Sequence, residues 1–167
     1  MSKLENSFVL EKLQNQFGSA ILGHEESYGL MTIVASRDAN LEILQFLKDD
    51  EDLAHSFLTD ITAVHYPNTD HELCVVYHTH SMTKRHRLRF KFYLPTSDAS
   101  IRSATPIYLG ANWMEREAYD FFGVQFLGHP DLRRILNMDE LEVFPMRKEY
   151  PLEDPNRVDK KDYFFGR

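Results

Sequence analysis

The sequence predicts an α+β fold: a mixed sheet of about four strands with helices packed on one face, plus an extended C-terminal tail. Three observations carry this expectation. Leu88, Phe90, Phe92 and Leu94 alternate with Arg87, Arg89, Lys91 and Tyr93, the period-two pattern of a strand with one buried face. Met114, Ala118, Phe121 and Phe122 form a helical stripe that stops at Gly123. After residue 123 periodicity weakens, four of the seven prolines follow, and charges of both signs become dense. The division expected is an α+β domain over 1–123 and a partner-wrapping tail over 124–167.

The elements follow in order. Leu4, Phe8, Leu10, Leu13 and Phe17 recur near helical spacing, with Gly18 placed to end the helix. Tyr28 to Ser36 is apolar, holds β-branched residues and is short, which reads as a buried strand. Asp38 or Asn40 is placed to cap a helix in which Leu41, Leu44 and Leu47 share a face, before the acidic turn Asp49 to Asp52. Three strands follow, Phe57 to Tyr66, Leu73 to His80 and Arg85 to Leu94, joined by turns at Pro67 to His71 and Ser81 to Thr83 as an antiparallel meander. A helix connecting the first strand to this meander makes the sheet mixed. Asn112 then precedes the last helix, with Glu115 three residues on as a variant capping box.

Composition excludes several functions. Nineteen basic residues against 26 acidic ones leave a net charge of −7, the wrong sign for a chain that lives on phosphate backbones. No apolar run approaches the roughly 18 residues of a membrane span. The N-terminus has neither signal-peptide nor transit-peptide character, so a cytoplasmic location is expected. The single cysteine, Cys74, sits in an apolar strand and reads as a small hydrophobe in a reducing compartment.

Chemistry is sparse. His78 and His80 share a strand face, with His65 and His86 placed for neighbouring strands, but no Cys pair or HExxH pattern completes a metal site. Nucleotide-cradling glycine loops and a serine-hydrolase elbow are absent. The row Arg87, Arg89, Lys91 could mimic an RNA-binding sheet, yet it lacks an RNP-like aromatic motif and reads as a solvated or partner-facing strand.

The dense segment is NWMEREAYDFFGVQFLGHPDLRRIL, Asn112 to Leu136. Arg116 and Asp120 are four apart and placed to pair on the helix. An exposed pair of this kind contributes only about 0.3 to 0.5 kcal/mol, too little to explain so much charge beside bulky aromatics. A charged helix docking against a partner is the fuller reading, with His129, Asp131, Arg133 and Arg134 continuing the contact. The aromatics Phe126, Phe144, Tyr150, Tyr163, Phe164 and Phe165 likewise suit a tail anchored on a partner.

At these residues the sequence resembles the thirty-kilodalton subunit family (the C subunits) of respiratory complex I, the proton-pumping NADH:quinone oxidoreductase. The family's motif is filled by Glu115-Arg116-Glu117, Asp120, Phe121-Phe122, His129, Arg133 and Ile135-Leu136. The similarity extends through ITAVHYP (61–67), VVYHTHS (75–81) and FPMRKEYPL (144–152). Family members usually carry a glycine where Val143 stands, so the turn before Pro145 must avoid positive φ here.

The resemblance implies a cofactor-free structural subunit of the peripheral arm, without an active site of its own. FMN and iron–sulfur clusters would lie in partner subunits and carry electrons from NADH to quinone. The partners implied are the forty-nine-kilodalton quinone-site subunit and other peripheral-arm subunits, with no nucleic acid. Membrane association would come only through the complex, peripherally, on the cytoplasmic side of the bacterial inner membrane. Glu115, Arg116, Asp120, His129, Arg133, Arg134, Arg147 and Lys148 are then expected to be assembly residues, paired within the subunit or across interfaces. Alternatives are the equivalent subunit of a membrane-bound nickel–iron hydrogenase or of a ferredoxin-fed complex I relative, or a free-standing metal- or RNA-binding α+β module.

Overall fold

The computed structural model describes residues 4–95 and 97–150. The expectations for Met1 to Lys3, Pro151, Pro155 and Tyr163 to Phe165 fall outside the described residues. Helix α1 spans Asn6–Phe17 and buries Val9 and Leu13. Gly18 follows it at φ 48, so the expected glycine stop is present.

The next element was not legible as a strand. Strand β1, Ile21–Ser27, pairs antiparallel with β2, Leu30–Ala35. Tyr28 and Gly29 both have positive φ, the requirement of a tight hairpin turn. Tyr28 therefore belongs to an exposed turn, not to the apolar strand predicted from it. β1 is a sheet edge, and its polar run Gly23 to Ser27 carries no buried-face signal.

Helix α2, Asn40–Asp49, buries Ile43, Leu44 and Leu47. Neither expected cap is used: no side chain caps α2, and the buried Asn40 amide donates to the Arg102 carbonyl at 2.7 Å. The meander is as predicted, with β3 Phe57–His65, β4 Leu73–Ser81 and β5 His86–Leu94. The sheet order is β1-β2-β5-β4-β3, mixed because β2 and β5 run parallel with Met31 opposite Leu88.

The buried face presents Met31, Ile33 and Ala35, then Leu88, Phe90, Phe92 and Leu94, then Val75 and Tyr77, then Ile61 and Ala63. All belong to one core with the apolar faces of the three helices. The rings of Phe90 and Phe92 stack at 6.0 Å, and Tyr77 meets Phe92 edge-on at 5.5 Å.

Two short strands escaped the sequence. β6, Ser100–Arg102, and β7, Gln125–Leu127, pair in parallel and bracket helix α3, Ala111–Phe122. α3 packs against β3 and closes at Gly123, which takes φ 79 and donates its N–H to the Tyr119 carbonyl. β7 ties the start of the 124–167 segment to the domain before it. Residues 128–150 then run as turns and bends across α3.

Candidate functional site

Several of the motif residues converge where residues 129–148 cross α3. Asp120 is fully buried on that helix. Its Oδ2 accepts from three successive backbone amides, Ile135 at 3.1 Å, Leu136 at 2.8 Å and Asn137 at 2.9 Å. Its Oδ1 accepts from Arg134 at 2.7 Å and from the Asn137 side chain at 3.1 Å. Burial alone would raise the Asp120 pKa. The Asn137 and Leu136 amides and the Arg134 guanidinium more than offset it and hold the carboxyl far below the usual range. A carboxylate has about four lone-pair positions, and these donors fill them. Asp120 thus ties α3 to residues 134–137 with its acceptor positions filled.

Arg134 completes the staple. Besides the carboxylate, it donates to the carbonyls of Asp120, Val143 and Leu141. Arg116 donates to the carbonyls of Arg133 and Arg134 at 3.2 and 3.0 Å. The expected Arg116–Asp120 pair is therefore not what forms. Each residue reaches across to the tail, because the buried carboxylate is satisfied by amides and a buried cation that the helix surface could not supply.

Further along, Arg147 donates to the Phe122 carbonyl at 2.7 Å. Two guanidinium groups lie over the Phe144 ring, Arg134 at 5.3 Å and Arg147 at 5.0 Å, and the ring meets Tyr119 edge-on at 6.1 Å. Phe144 and the buried Phe126, read as anchors for a partner, thus pack within the chain itself. Val143 is outside the positive-φ residues, as its β-branch requires.

His129 bridges helix and tail: Nε2 donates to the Asn112 carbonyl at 3.0 Å while Nδ1 accepts from the Asp131 amide at 3.0 Å. That pattern fixes the neutral ring with its proton on Nε2. Arg133 pairs with Asp131 at 2.9 Å on the exposed surface. Lys148 is tied through its backbone, whose N–H donates to His65 Nδ1 at 2.9 Å, while its side chain is exposed.

Glu115 departs from expectation. No side chain caps α3, whose N-cap is Gly110, so Glu115 forms no capping box. It is fully buried instead, and accepts from the Ser103 hydroxyl and the Ala104 amide, both at 2.6 Å. Burial pushes its carboxyl up to about 7 despite those two donors. Glu117, two residues on, faces solvent.

Some of the remaining polar candidates are engaged within the sheet. Arg89 donates to His78 Nε2 at 2.8 Å, and Lys91 pairs with Glu25 at 3.0 Å, so the basic row is partly neutralised on its own sheet. Burial pushes the Cys74 thiol up to about 12, the inert state expected of a strand cysteine. No group of three or more His, Cys, Asp or Glu side chains is placed to hold a metal ion among the described residues. Sequence reasoning missed Ser103 and Asn137. Ser103 lies twelve residues from its carboxylate with no periodic link, and Asn137, seventeen residues from Asp120, donates to it from both backbone and side chain without a spacing that would announce it.

Residues 33–156 match the family described as the respiratory-chain NADH dehydrogenase 30 Kd subunit. The C subunit of NADH-quinone oxidoreductase from Citrifermentans bemidjiense is 44% identical over 92% of this chain and 94% of its own length. The corresponding protein of Geobacter sulfurreducens is 42% identical over the same shares of each. Among solved structures, the trypsin-resistant fragment (1–134) of Nqo5 covers 75% of this chain and 98% of its own, with TM-score 0.62 and 27% identity. A chain of the membrane-bound sulfane sulfur reductase, an archaeal respiratory membrane complex, shares the fold with TM-score 0.76 over 93% of this chain and 96% of its own, at 21% identity. With the family's model matched over residues 33–156 and its relatives alike over most of their lengths, the chain belongs to the 30 Kd subunit family of respiratory-chain NADH dehydrogenase, the C subunits of NADH-quinone oxidoreductase.

Proposed function

We propose that this chain is a cofactor-free assembly subunit of the peripheral arm of a proton-translocating NADH:quinone oxidoreductase, and that it docks the forty-nine-kilodalton quinone-site subunit. FMN and iron–sulfur clusters belong to partner subunits in this reading, and the chain contributes no reacting group. One observation carries it: Arg116, Asp120 and His129 of the family motif, with Arg134 and Arg147, fix residues 129–148 against α3, and Trp113, Leu127, Leu136 and Met138 are left exposed. Apolar side chains on a pre-ordered segment suit a permanent interface, because little ordering entropy is lost on binding. The saturated Asp120 and the engaged histidines support a role in assembly over one in chemistry.

Membrane association then comes through the complex, on the cytoplasmic side of the inner membrane. Among the described residues no helix is long and apolar enough to cross a membrane. The test is to recover the tagged chain from gently solubilised membranes. Co-purification of the quinone-site subunit, flavin and iron–sulfur absorbance and NADH:quinone activity is the expected result. A lone colourless protein would overturn the reading.

A further inference from the structure

Away from the staple, five side chains form one continuous chain of hydrogen bonds. Thr79 Oγ1 lies 2.9 Å from His55 Nδ1, and His55 Nε2 lies 3.1 Å from His86 Nδ1. His86 Nε2 lies 2.8 Å from Asn6 Oδ1, and Asn6 Nδ2 donates to Glu26 at 2.9 Å. His55 is fully buried and His86 nearly so. The outer end opens on a cleft of about 650 Å³.

The direction of every bond in the chain is determined. A carboxylate only accepts, so the Asn6 amide turns its N–H to Glu26 and its oxygen to His86. His86 must then donate from Nε2, which leaves Nδ1 as an acceptor for a neutral ring. His55 donates from Nε2 in turn and accepts at Nδ1 from the Thr79 hydroxyl. A proton added to His86 would set its Nδ1–H against the Nε2–H of His55. Shifting His55 to its other tautomer would still leave a cation in the core.

The cleft is lined by His80 from β4 and Arg85 and Arg87 at the start of β5, and by Glu5 before α1 and Glu26 from β1. Burial first, then His86 and His80, pushes His55 down to about 3. In the closed state His55 takes up no proton near neutrality, whereas opened, hydrated imidazoles titrate at about 6.5. His55 itself is held by its backbone, whose N–H donates to the Leu47 carbonyl and whose own carbonyl accepts from the Tyr108 hydroxyl. Asn6 sits in the first turn of α1, ahead of the buried Val9 and Leu13 that hold the rest of the helix.

We propose that the Thr79–His55–His86–Asn6–Glu26 chain is a proton-released latch, which fastens the start of α1 to β1 and β5 at neutral pH and lets it loosen on mild acidification. The latch is independent of the assembly role.

Two measurements on the full chain test it. Nitrogen NMR of the imidazoles near neutral pH is expected to show both rings neutral with the proton on Nε2. A proton on His86 Nδ1, or a charged pair, would overturn the proposal. Amide exchange, corrected for its intrinsic pH dependence, is expected to quicken in α1 by about tenfold or more between about pH 7 and pH 5, with α3 unchanged. His86→Gln offers an acceptor to His55 and a donor to Asn6 but does not titrate, so the acid response of α1 should shrink to the part that His55 supplies. Unchanged α1 exchange in the unaltered chain, or the same acid response in His86→Gln, would refute the latch. Should that variant not fold, the imidazole measurement still decides.

Discussion

The ring of Phe144 occupies the space that a side chain on Gly123 would need: a β-carbon at position 123 would sit 2.5 Å from it. The helix stop and the tail crossing are thus one feature. Gly123→Ala should lose about 2 to 4 kcal/mol, combining left-handed strain with overpacking. Gly128 has φ 82 but open space around it, so Gly128→Ala should lose only about 1 to 2 kcal/mol. Urea midpoints of the two variants check the difference, and equal losses would show that the Phe144 contact is immaterial.

Removing one partner of the buried Asp120–Arg134 pair strands the other. Asp120→Ala or Arg134→Ala should each destabilise by about 3 to 5 kcal/mol. Limited proteolysis should then cut within residues 128–150 before the sheet is lost. Cleavage at the same rate as in the unaltered chain would argue that the tail is held by something else.

Glu115 gives a pH dependence of defined sign. Its folded carboxyl titrates at about 7 against an ordinary 4.5, so between those values the folded state holds a proton that the unfolded state has released. Stability of the unaltered chain falls as pH rises through that window. Gln at this position keeps an acceptor for Ala104 and a donor for Ser103 without titrating. Glu115→Gln should therefore gain on the unaltered chain by up to about 3 kcal/mol from pH 4.5 to 7, read as the shift in denaturation midpoint.

Arg133 separates folding from assembly. Its exposed pair with Asp131 contributes about 0.2 to 1 kcal/mol, so Arg133→Ala should barely move the melting temperature of the isolated chain. Loss of a charge pair that becomes desolvated at an interface costs more, about 2 to 5 kcal/mol, and should lower the yield of assembled complex. A fully assembled but inactive complex would contradict the assembly reading.

The parts of the fold that were legible are those governed by side-chain periodicity. The alternation in β5, the stripe of α3 and the stop at Gly123 announced themselves because burial selects residue types at fixed spacing. β1 stayed hidden because an edge strand exposed on most of its length needs no apolar face, and β6 and β7 because three residues carry no period. The staple was half legible. Its residues stood out as a motif, but Asp120 was paired with the wrong arginine. Its main donors are backbone amides, which any sequence supplies, and only the fold brings them within reach.

The parallel seam between β2 and β5 bears on how the chain is made. The β1–β2 hairpin and the β3–β4–β5 meander each close through contacts near in sequence, whereas Met31 must wait for Leu88. During synthesis the hairpin emerges early and has no neighbour for its inner edge until the fifth strand has been translated. The joining of these two pieces is the long-range step in folding the sheet. Substitutions along the seam, at Ile33 or Phe90, should slow refolding more than equally destabilising changes within the hairpin turn.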